Sequence, residues 1–359
     1  MFKKVNENTY FKNRLRGEIK RTPEDFFVKE KIPSSFLLPV STGCPYVLFF
    51  LEFWNWDKNK FIKFISNRCS ISKENITYAG LKDKKAVTQQ YFCFLKSFED
   101  KIEEELFKLK SVIILNKFYS KTQLNIGDLE KHYFERNVYC KTKQKTRLLQ
   151  KFKNSETIFF FNFFGSQRFG KNCSNLALGK LLLERKYSLF LRKYFKVNIN
   201  FKNPERRILF LPRRVLSLFA RSLQSNMFNF SLLDFVKKYK TAEALFKVLQ
   251  IGDKVASLSL PGSKPTTVTT ENYSFFKKKL NSREVVQCLE LISESTKGWG
   301  RLKVFKTLGL KVTRTYRRLI DFVTDFRVEE RDSFFLFSFS MNKGCYATSF
   351  LNEYFLLKK

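Results

Sequence analysis

The chain has 359 residues, of which 43% are hydrophobic and 17% aromatic; this is enough apolar material for a packed core and argues against a disordered chain. Its 68 Lys and Arg outnumber 33 Asp and Glu and give a net charge of +35, far more than solubility requires. The excess predicts a polyanionic partner, with RNA, DNA and acidic membrane as candidates, while AT-rich coding, which favours Phe and Lys, is the alternative explanation for a share of it.

The cysteine and histidine content argues against a metal site. Seven cysteines are scattered without a CxxC pair, and the single histidine is His132, so the clustered ligands of a zinc site are missing. Dispersed cysteines without a signal-peptide pattern are typical of reduced thiols inside a cell. The apolar runs YVLFFLEFW and IFFFNFFG are much shorter than the roughly 20 residues of a membrane helix. We therefore expect an intracellular protein, cytoplasmic or, in a eukaryote, nuclear, without a membrane span.

The first part of the chain predicts strands with one early helix. GEIKRTPEDFFVKE (17–30) reads as an extended segment interrupted at Pro23 by a turn. Residues 46–53 are nearly all apolar, as in a strand that is buried on both faces. Asp57 can then cap a helix whose apolar residues repeat at helical spacing, namely Phe61, Phe64 and Ile65.

The next stretch, AGLKDKKAVTQQYFCF (79–94), holds one acid among lysines. Residues 87–94 alternate in a way that predicts a strand, which places Asp83 on the loop at the mouth of that strand. One interpretation is that the Asp83 carboxylate only stabilises a turn. The functional alternative is an ionised carboxylate in a pocket, which can act as nucleophile or base without a metal or a histidine dyad.

From about residue 162 the pattern becomes helical. Ser174 can cap a helix that carries Leu176, Leu182 and Leu183, and an apolar stripe at 216–230 predicts a long helix with Leu216, Phe219, Ala220, Leu223, Met227 and Phe230. A further helix is predicted from Thr241 to Gly252. Residues 333–340 predict a strand again, followed by a turn at Gly344 and a short helix with Phe350, Leu351 and Tyr354. This order predicts a mainly helical insertion into an α/β domain.

Several strings together resemble one enzyme family. AGLKDKKAVTQQ, KRTPEDFFVKE and NFFGSQRFG are similar to the hallmark strings of the TruD-type pseudouridine synthases, which have the forms GxKDKxAxTxQ, KxxPEDFxVxE and NYFGxQRFG. Further similar strings are LQSNMFN (223–229), LSLPG (258–262), TYRRLI (315–320) and GCYATSFLNE (344–353). They occur in the family's order from residue 20 to residue 353, and so many ordered matches argue against coincidence.

The resemblance implies an enzyme that isomerises uridine in RNA to pseudouridine, with uridine 13 of tRNA as the expected target. Asp83 matches the family's catalytic residue, and Lys20 matches the lysine that compensates its charge. The neighbouring Lys82, Lys84 and Lys85 would be phosphate contacts or solvated charges. The sequence leaves open whether the carboxylate attacks the sugar, attacks the base or removes a proton from the ribose. Because the reaction rearranges atoms within one nucleoside, no metal, cofactor or nucleotide is expected.

The resemblance also implies substrate contacts. Phe26, Phe134 and Tyr346 match positions where the family lines its uridine pocket with aromatic rings, and such rings can stack on an extruded base. Any one of 43 phenylalanines taken alone would be a core residue, so the motif position carries this expectation. In the NFFGSQRFG string, Asn162, Gln167 and Arg168 would hold RNA, and a purely structural hinge is the alternative.

Four departures from the family strings stand out. FWNWDK replaces KxNxDT, which puts Phe53 and Lys58 where Lys and Thr are expected, and KHYF replaces GNxF, which puts Lys131 and His132 where Gly and Asn are expected. The other two are Asn342-Lys343 before Gly344, and Asn352. Neutral His offers one donor and one acceptor with a different reach from Asn, so uracil recognition would change if His132 contacts the substrate; core packing or surface exposure is the alternative.

These observations predict an α/β (α+β) fold. The catalytic domain, residues 1–158 and 319–359, is expected to have a mixed, largely antiparallel sheet, and residues 159–318 to form an inserted, mainly helical TRUD domain. The expected partner is RNA, specifically tRNA, in a basic cleft between the lobes, without a membrane or an obligatory protein partner. The alternative function is a non-catalytic RNA-binding protein or RNA chaperone on the same scaffold, and His132 is its best support.

Overall fold

The structure is a computed structural model that describes residues 14–19, 21–80, 86–140, 152, 158–239, 254–255, 266–267, 304–310 and 319–358. Its strands are β1 (Leu15–Glu18), β2 (Phe26–Lys31), β3 (Tyr46–Trp54), β4 (Thr77–Tyr78), β5 (Val87–Leu95), β6 (Val112–Ser120), β7 (Lys131–Tyr139), β8 (Ile158–Phe161), β9 (Lys254–Val255), β10 (Thr266–Thr267), β11 (Ile320–Glu330), β12 (Phe334–Asn342) and β13 (Phe355–Lys358). Its helices are α1 (Lys58–Cys69), α2 (Glu99–Phe107), α3 (Ser174–Leu183), α4 (Tyr187–Phe195), α5 (Pro204–Leu209), α6 (Arg213–Tyr239), α7 (Val304–Thr307) and α8 (Ala347–Asn352).

The chain divides into two compact units. The sheet unit contains the described residues of 14–158, 322–347 and 355–358, and the helical unit contains those of 159–321 and 348–354. That residues 159–318 form an independent inserted domain stays a prediction. The predicted helix at 241–252 and the LSLPG string lie outside the described residues.

The sheet unit is built on a mixed sheet with the strand order β6-β3-β5-β2-β7-β12-β11. β2 pairs with β5 in parallel, and the other neighbours in this order pair antiparallel. Near the two chain ends, β1 pairs with β13 in parallel. The predicted mixed, largely antiparallel sheet is therefore confirmed.

Strand β3 and helix α1 show why this sheet forms. In β3, Phe49 and Leu51 pack into a core cluster with Phe61 and Ile65 of α1, while Leu48 belongs to a second cluster on the opposite face. A strand that is buried on both faces has no polar side, and its sequence is accordingly almost wholly apolar. The α1 helix begins after Asp57, whose carboxylate accepts hydrogen bonds from the backbone N–H groups of Asn59 and Lys60. Both predictions for this region are confirmed.

In the helical unit, α3 and α6 pack closely. A Cβ atom on Gly179 of α3 would lie 2.5 Å from the carbonyl oxygen of Phe219 in α6, so the contact requires glycine. The predicted stripe of α6 is buried at Leu216, Phe219, Ala220, Leu223 and Met227. The prediction that Ser174 caps α3 is wrong, because Ser174 is the first helical residue and Cys173 precedes it in a left-handed conformation. In the described part of the chain, every helix is too short or too polar to cross a membrane.

Candidate active site

The candidate site is organised by β7, which contains the KHYF string. Side chains alternate along a strand, so His132, Phe134 and Arg136 lie on one face of β7. β7 pairs with β2 on one side, where Phe26 is opposite Arg136, and with β12 on the other, where Phe339 is opposite Phe134. Rings from three neighbouring strands therefore meet on this face, which we call the aromatic face: Phe26, His132, Phe134 and Phe339.

The rings of the aromatic face are in contact. The Phe26 and Phe134 rings are parallel within 3°, with centroids 6.0 Å apart. The His132 ring lies 5.7 Å from the Phe134 ring, and the Phe339 ring lies 5.6 Å from it on β12. Phe26 and Phe134 are buried, with 3% and 7% of their surface exposed, whereas His132 is partly exposed. The structure thus brings together three of the predicted substrate-binding residues, with His132 as the most accessible ring.

Arg136 adds a positive charge to this face. Its guanidinium carbon lies 3.4 Å from the centroid of the Phe26 ring, a close cation–π geometry, and the side chain is almost entirely buried. A buried guanidinium over an aromatic ring fixes the orientation of that ring. Arg136 therefore holds Phe26 in place. The family strings gave no indication of this role.

The Pro-Glu-Asp turn before β2 is held by a buried carboxylate. Asp25 accepts hydrogen bonds from the backbone N–H of Thr22 at 2.9 Å, the Tyr139 hydroxyl at 2.7 Å and the Asn137 amide at 3.0 Å. Burial favours the neutral acid, but the hydrogen bonds outweigh it and lower the pKa of Asp25 below its ordinary value. Because Tyr139 and Asn137 belong to β7, the turn is fixed to the same strand that carries Phe134. In the PEDF string, Asp25 is therefore structural and Phe26 reaches the aromatic face.

The predicted catalytic residues Asp83 and Lys20 lie outside the described residues, but their chain neighbours are described. Before residues 81–85, the carbonyl of Ala79 accepts a hydrogen bond from the Gly127 N–H, and after them the carbonyl of Ala86 accepts one from the Asn55 N–H, each at 3.1 Å. Val87 then opens β5 opposite Phe27 of β2. The strand that follows Asp83 in the sequence therefore pairs with the strand that begins with Phe26.

The residues that depart from the family strings have local partners. Phe53 is buried with its ring 4.8 Å from the Phe61 ring, so it belongs to the core. The Lys58 ammonium donates to the Tyr78 hydroxyl at 2.7 Å, and the Lys343 ammonium donates to the Gly127 carbonyl at 2.9 Å. Lys131 is 3.4 Å from the Thr324 hydroxyl. Each of these four residues therefore packs or forms a hydrogen bond within its own part of the fold.

Tyr346 follows the end of β12. Asn342, the last residue of β12, pairs with Lys131 of β7, and its carbonyl accepts a hydrogen bond from the Cys345 N–H in the turn. Gly344 has a φ of 85°, which favours glycine in this turn. Tyr346 is partly exposed, and its contact with a uridine stays a prediction.

The NFFGSQRFG string is used differently, inside the helical unit. The Asn229 side chain binds both backbone groups of Phe164, accepting from its N–H at 2.8 Å and donating to its carbonyl at 3.0 Å. The Arg168 guanidinium donates to the Ser225 hydroxyl at 2.9 Å. The Ser349 hydroxyl donates to the carbonyl of Phe163, and Glu353 accepts from the N–H of Phe161. We call these contacts, most of which involve backbone groups of residues 161–164, the backbone clamp: they join Phe161 and the NFFGSQRFG string to the LQSNMFN and GCYATSFLNE strings.

Comparison with known proteins identifies the family. Residues 4–209, more than half of the chain, match the family model described as tRNA pseudouridine synthase D (TruD). The chain belongs to the TruD family. Relatives in this family are named as tRNA pseudouridine synthases, which are isomerases, so the predicted family and enzyme class are confirmed.

Individual TruD relatives match over almost their whole length. Probable tRNA pseudouridine synthase D of Archaeoglobus fulgidus is 27% identical over 407 residues, with 95% of each chain covered. The Pyrococcus furiosus protein of the same name is 29% identical and covers 94% of this chain and 95% of its own. A TruD crystal structure from Methanosarcina mazei superposes with a TM-score of 0.58 at 20% identity, covering 95% of this chain and 94% of that one. At that identity the superposition supports the fold alone.

Among the site residues predicted from the TruD strings, the structure distinguishes two groups. Phe26, His132 and Phe134 share the aromatic face of the sheet unit. Asn162 and Arg168 lie in the helical unit, where Asn162 is buried and Arg168 is bound to Ser225, while Gln167 is exposed. RNA contacts by these three stay a prediction. The partners of the clamp, Asn229, Ser225, Ser349 and Glu353, lay in strings that the sequence analysis quoted without giving them roles.

Proposed function

We propose that this chain converts uridine 13 of tRNA to pseudouridine and that the Asp83 carboxylate is its catalytic group. One observation carries the proposal: the strand that directly follows the KDK string pairs with the strand that begins with Phe26. In a TruD family member, this pairing supports a place for the KDK string near the aromatic face. The proposal adds to the family assignment a residue, a target position and a set of contacts.

The chemistry requires few groups. The bond between N1 of uracil and C1′ of ribose breaks, the base turns, and a bond forms between C5 and C1′, while C5 loses a proton and N1 gains one. A positioned, ionised carboxylate can attack the sugar, attack the base or remove a proton from the ribose. We assign this role to Asp83 and propose that the Lys20 ammonium favours its ionised form, since a nearby opposite charge lowers a carboxyl pKa.

The aromatic face would return part of the energy needed to extrude the uridine. Extrusion costs a few kcal/mol of stacking, and each aromatic stack returns about 1–3 kcal/mol. We assign stacking to Phe134 and Tyr346, with Phe26 held behind by Arg136, and an edge contact with uracil to His132. Phosphate contacts by Gln167 and Arg168 would add binding energy that falls with salt concentration.

The decisive experiment maps pseudouridine in unmodified tRNA transcripts after incubation with wild type, Asp83→Asn and Asp100→Asn. Asp100 is exposed on α2 and provides an isosteric control. We expect product at position 13 with wild type and Asp100→Asn, none with Asp83→Asn, and tRNA affinity within about twofold for all three, because Asn keeps the size of the side chain. A transcript with cytidine at position 13 should remain unmodified.

Two outcomes would contradict the proposal in different ways. If Asp83→Asn makes product as fast as wild type, another residue is catalytic. If wild type makes no product with any tRNA but binds it tightly, the chain is an RNA-binding protein on this scaffold. Product at a different uridine would keep the catalytic assignment and overturn the target position.

A further inference from the structure

The helical unit contains an open groove away from the motif strings. It lies between the turn that joins α3 to α4 and the beginning of α5, and its volume is about 780 Å³. This falls within the roughly 300–1,000 Å³ of ligand-binding clefts. The residues that shape its chemistry are Arg185, Lys186, Tyr187, Leu189, Arg206 and Leu209.

The groove is strongly basic. Residues 171–214 contain twelve Lys and Arg but two Glu, a sixfold excess, whereas the whole chain has about a twofold excess. Arg185 and Arg206 are exposed, and within the described residues neither guanidinium forms a hydrogen bond or an ion pair. Glu205 is the one acid among the described lining residues. Two guanidinium groups from separate helical segments thus face solvent at one groove, without an anionic partner in the described chain.

Apolar side chains lie exposed beside these charges. Leu189 and Leu209 line the groove and are 41% and 54% exposed, and Phe210, the residue after Leu209, is 76% exposed. Burial of Leu and Phe is normally favourable, so an exposed group of them beside cations indicates a binding surface. Phosphates with bases attached would complement both features, since nucleotide bases stack on aromatic and apolar side chains.

Tyr187 forms a rigid part of the groove wall. Its side chain is only 7% exposed, and its hydroxyl has no hydrogen-bond partner among the described residues. The ring itself belongs to the core cluster of the helical unit, so the hydroxyl is held in a fixed position.

We propose that this groove binds a single-stranded segment of the substrate RNA. Phosphates would bind Arg185 and Arg206, and a base would stack against Phe210 and Leu209. The inference rests on the proposed function in taking RNA as the polyanion. A concave groove with guanidiniums from two segments favours a strand over a lipid surface, which a flat or convex basic face would suit better.

The test measures binding of the full chain to an unmodified tRNA transcript at several salt concentrations. Arg185→Ala/Arg206→Ala is compared with Lys63→Ala/Lys101→Ala, which removes two exposed cations from α1 and α2 of the sheet unit. We expect the groove variant to raise Kd about tenfold and to reduce the slope of log K against log salt by about 1.4, the value for two phosphate contacts on a single strand. The control should change neither.

A second pair tests the stacking contact. Phe210→Ala is compared with Phe107→Ala, because Phe107 is 75% exposed on α2 and so matches Phe210 in exposure. Phe210→Ala should raise Kd at least fivefold, the lower limit for the loss of one stacked base, while the control stays within twofold.

Three outcomes would overturn the inference. Equal Kd and equal salt slopes for the groove variants and their controls would exclude RNA from the groove. Loss of binding to phosphatidylserine vesicles in Arg185→Ala/Arg206→Ala, with unchanged RNA affinity, would show a membrane surface instead. An increase in Kd that the control double variant shares would indicate a general charge effect. A failure of Asp83 as catalyst would leave these binding results unaffected, so the two proposals fail separately.

Discussion

The aromatic face of the sheet unit and the backbone clamp of the helical unit are both built from strings shared with the TruD family, yet they use their side chains differently. On the aromatic face, rings contact one another, and His132 at the end of the row is partly exposed. In the clamp, side chains such as Asn229 bind backbone groups of the same unit. A shared string therefore does not by itself mark a substrate contact.

The difference follows from the backbone around each string. Along a strand, neighbouring side chains lie on opposite faces, so Asp25 can anchor a turn while Phe26 enters the aromatic face. Residues 162–165 form no regular element, and their backbone groups need partners that a helix or sheet would otherwise supply. Asn229 and Ser349 supply them.

The largest expected effect tests the clamp through Asn229→Ala. The side chain is buried, and its removal leaves the N–H and carbonyl of Phe164 without these hydrogen bonds. At about 1–3 kcal/mol for each of these two backbone groups, the free energy of unfolding should fall by roughly 2–6 kcal/mol. Urea unfolding followed by circular dichroism measures it. Asn198→Ala, at an exposed position, is the control, and an equal loss in both would show that the clamp contributes nothing.

Phe134→Leu is expected to cost less free energy than Asn229→Ala, but its loss should appear in catalysis. Loss of a ring that stacks on the extruded base should lower kcat/KM about 10- to 100-fold, since one stack is worth about 1–3 kcal/mol. Phe92→Leu is the matched control, because Phe92 is fully buried in another core cluster of the sheet unit. Both variants should lose about 1–2 kcal/mol of stability. If both lose activity equally, Phe134 acts through packing and the contrast with the clamp disappears.

Asp25→Asn tests whether the acid of PEDF is structural. The folded pKa of Asp25 lies below its ordinary value of 3.8, so its carboxylate stabilises the fold fully above that pH. The contribution is lost as the pH falls through the folded pKa. The variant should therefore lose about 1–2 kcal/mol at pH 7 and show a shallower loss of stability below pH 4. Acid titration of unfolding measures this, with Asp100→Asn as control. An unchanged acid slope would contradict the assignment.

Local sequence patterns predicted the elements whose periodicity is undisturbed. β3, with apolar residues on both faces, and α1, with Asp57 before it, were predicted for the reasons that the structure confirms. β7 was not predicted, because His132 and Arg136 lie on its aromatic face, where apolar residues would have shown the alternation of a strand. β6 was missed as well, since Ile113 and Leu115 are exposed on this strand at the end of the sheet order.

The candidate site was predicted less completely than the fold. The strings placed Phe26, His132 and Phe134 in one site, and the pairing of β2 with β7 joins residues more than 100 positions apart, which no local pattern reveals. Arg136 and the partners of Asp25 depend on that pairing and were missed for this reason. The available signal was the pair of polar side chains Asn137 and Tyr139, two residues apart, which can both donate hydrogen bonds to the acid of a Pro-Glu-Asp turn.

The smallest expected effect belongs to His132→Asn, which restores the residue that the family string has at this position. The imidazole lies at the accessible end of the aromatic face, 5.7 Å from the Phe134 ring, and Asn keeps a donor and an acceptor there. If His132 is a tolerated substitute at the uracil edge, kcat/KM should stay within about threefold of wild type or rise, a difference under about 0.7 kcal/mol. Steady-state pseudouridine formation with the U13 transcript measures this, and His132→Ala, which removes both hydrogen-bonding groups, should be the slower variant. A loss above tenfold in His132→Asn would show that this chain depends on the imidazole itself, and would make the aromatic face a site with its own mode of uracil recognition.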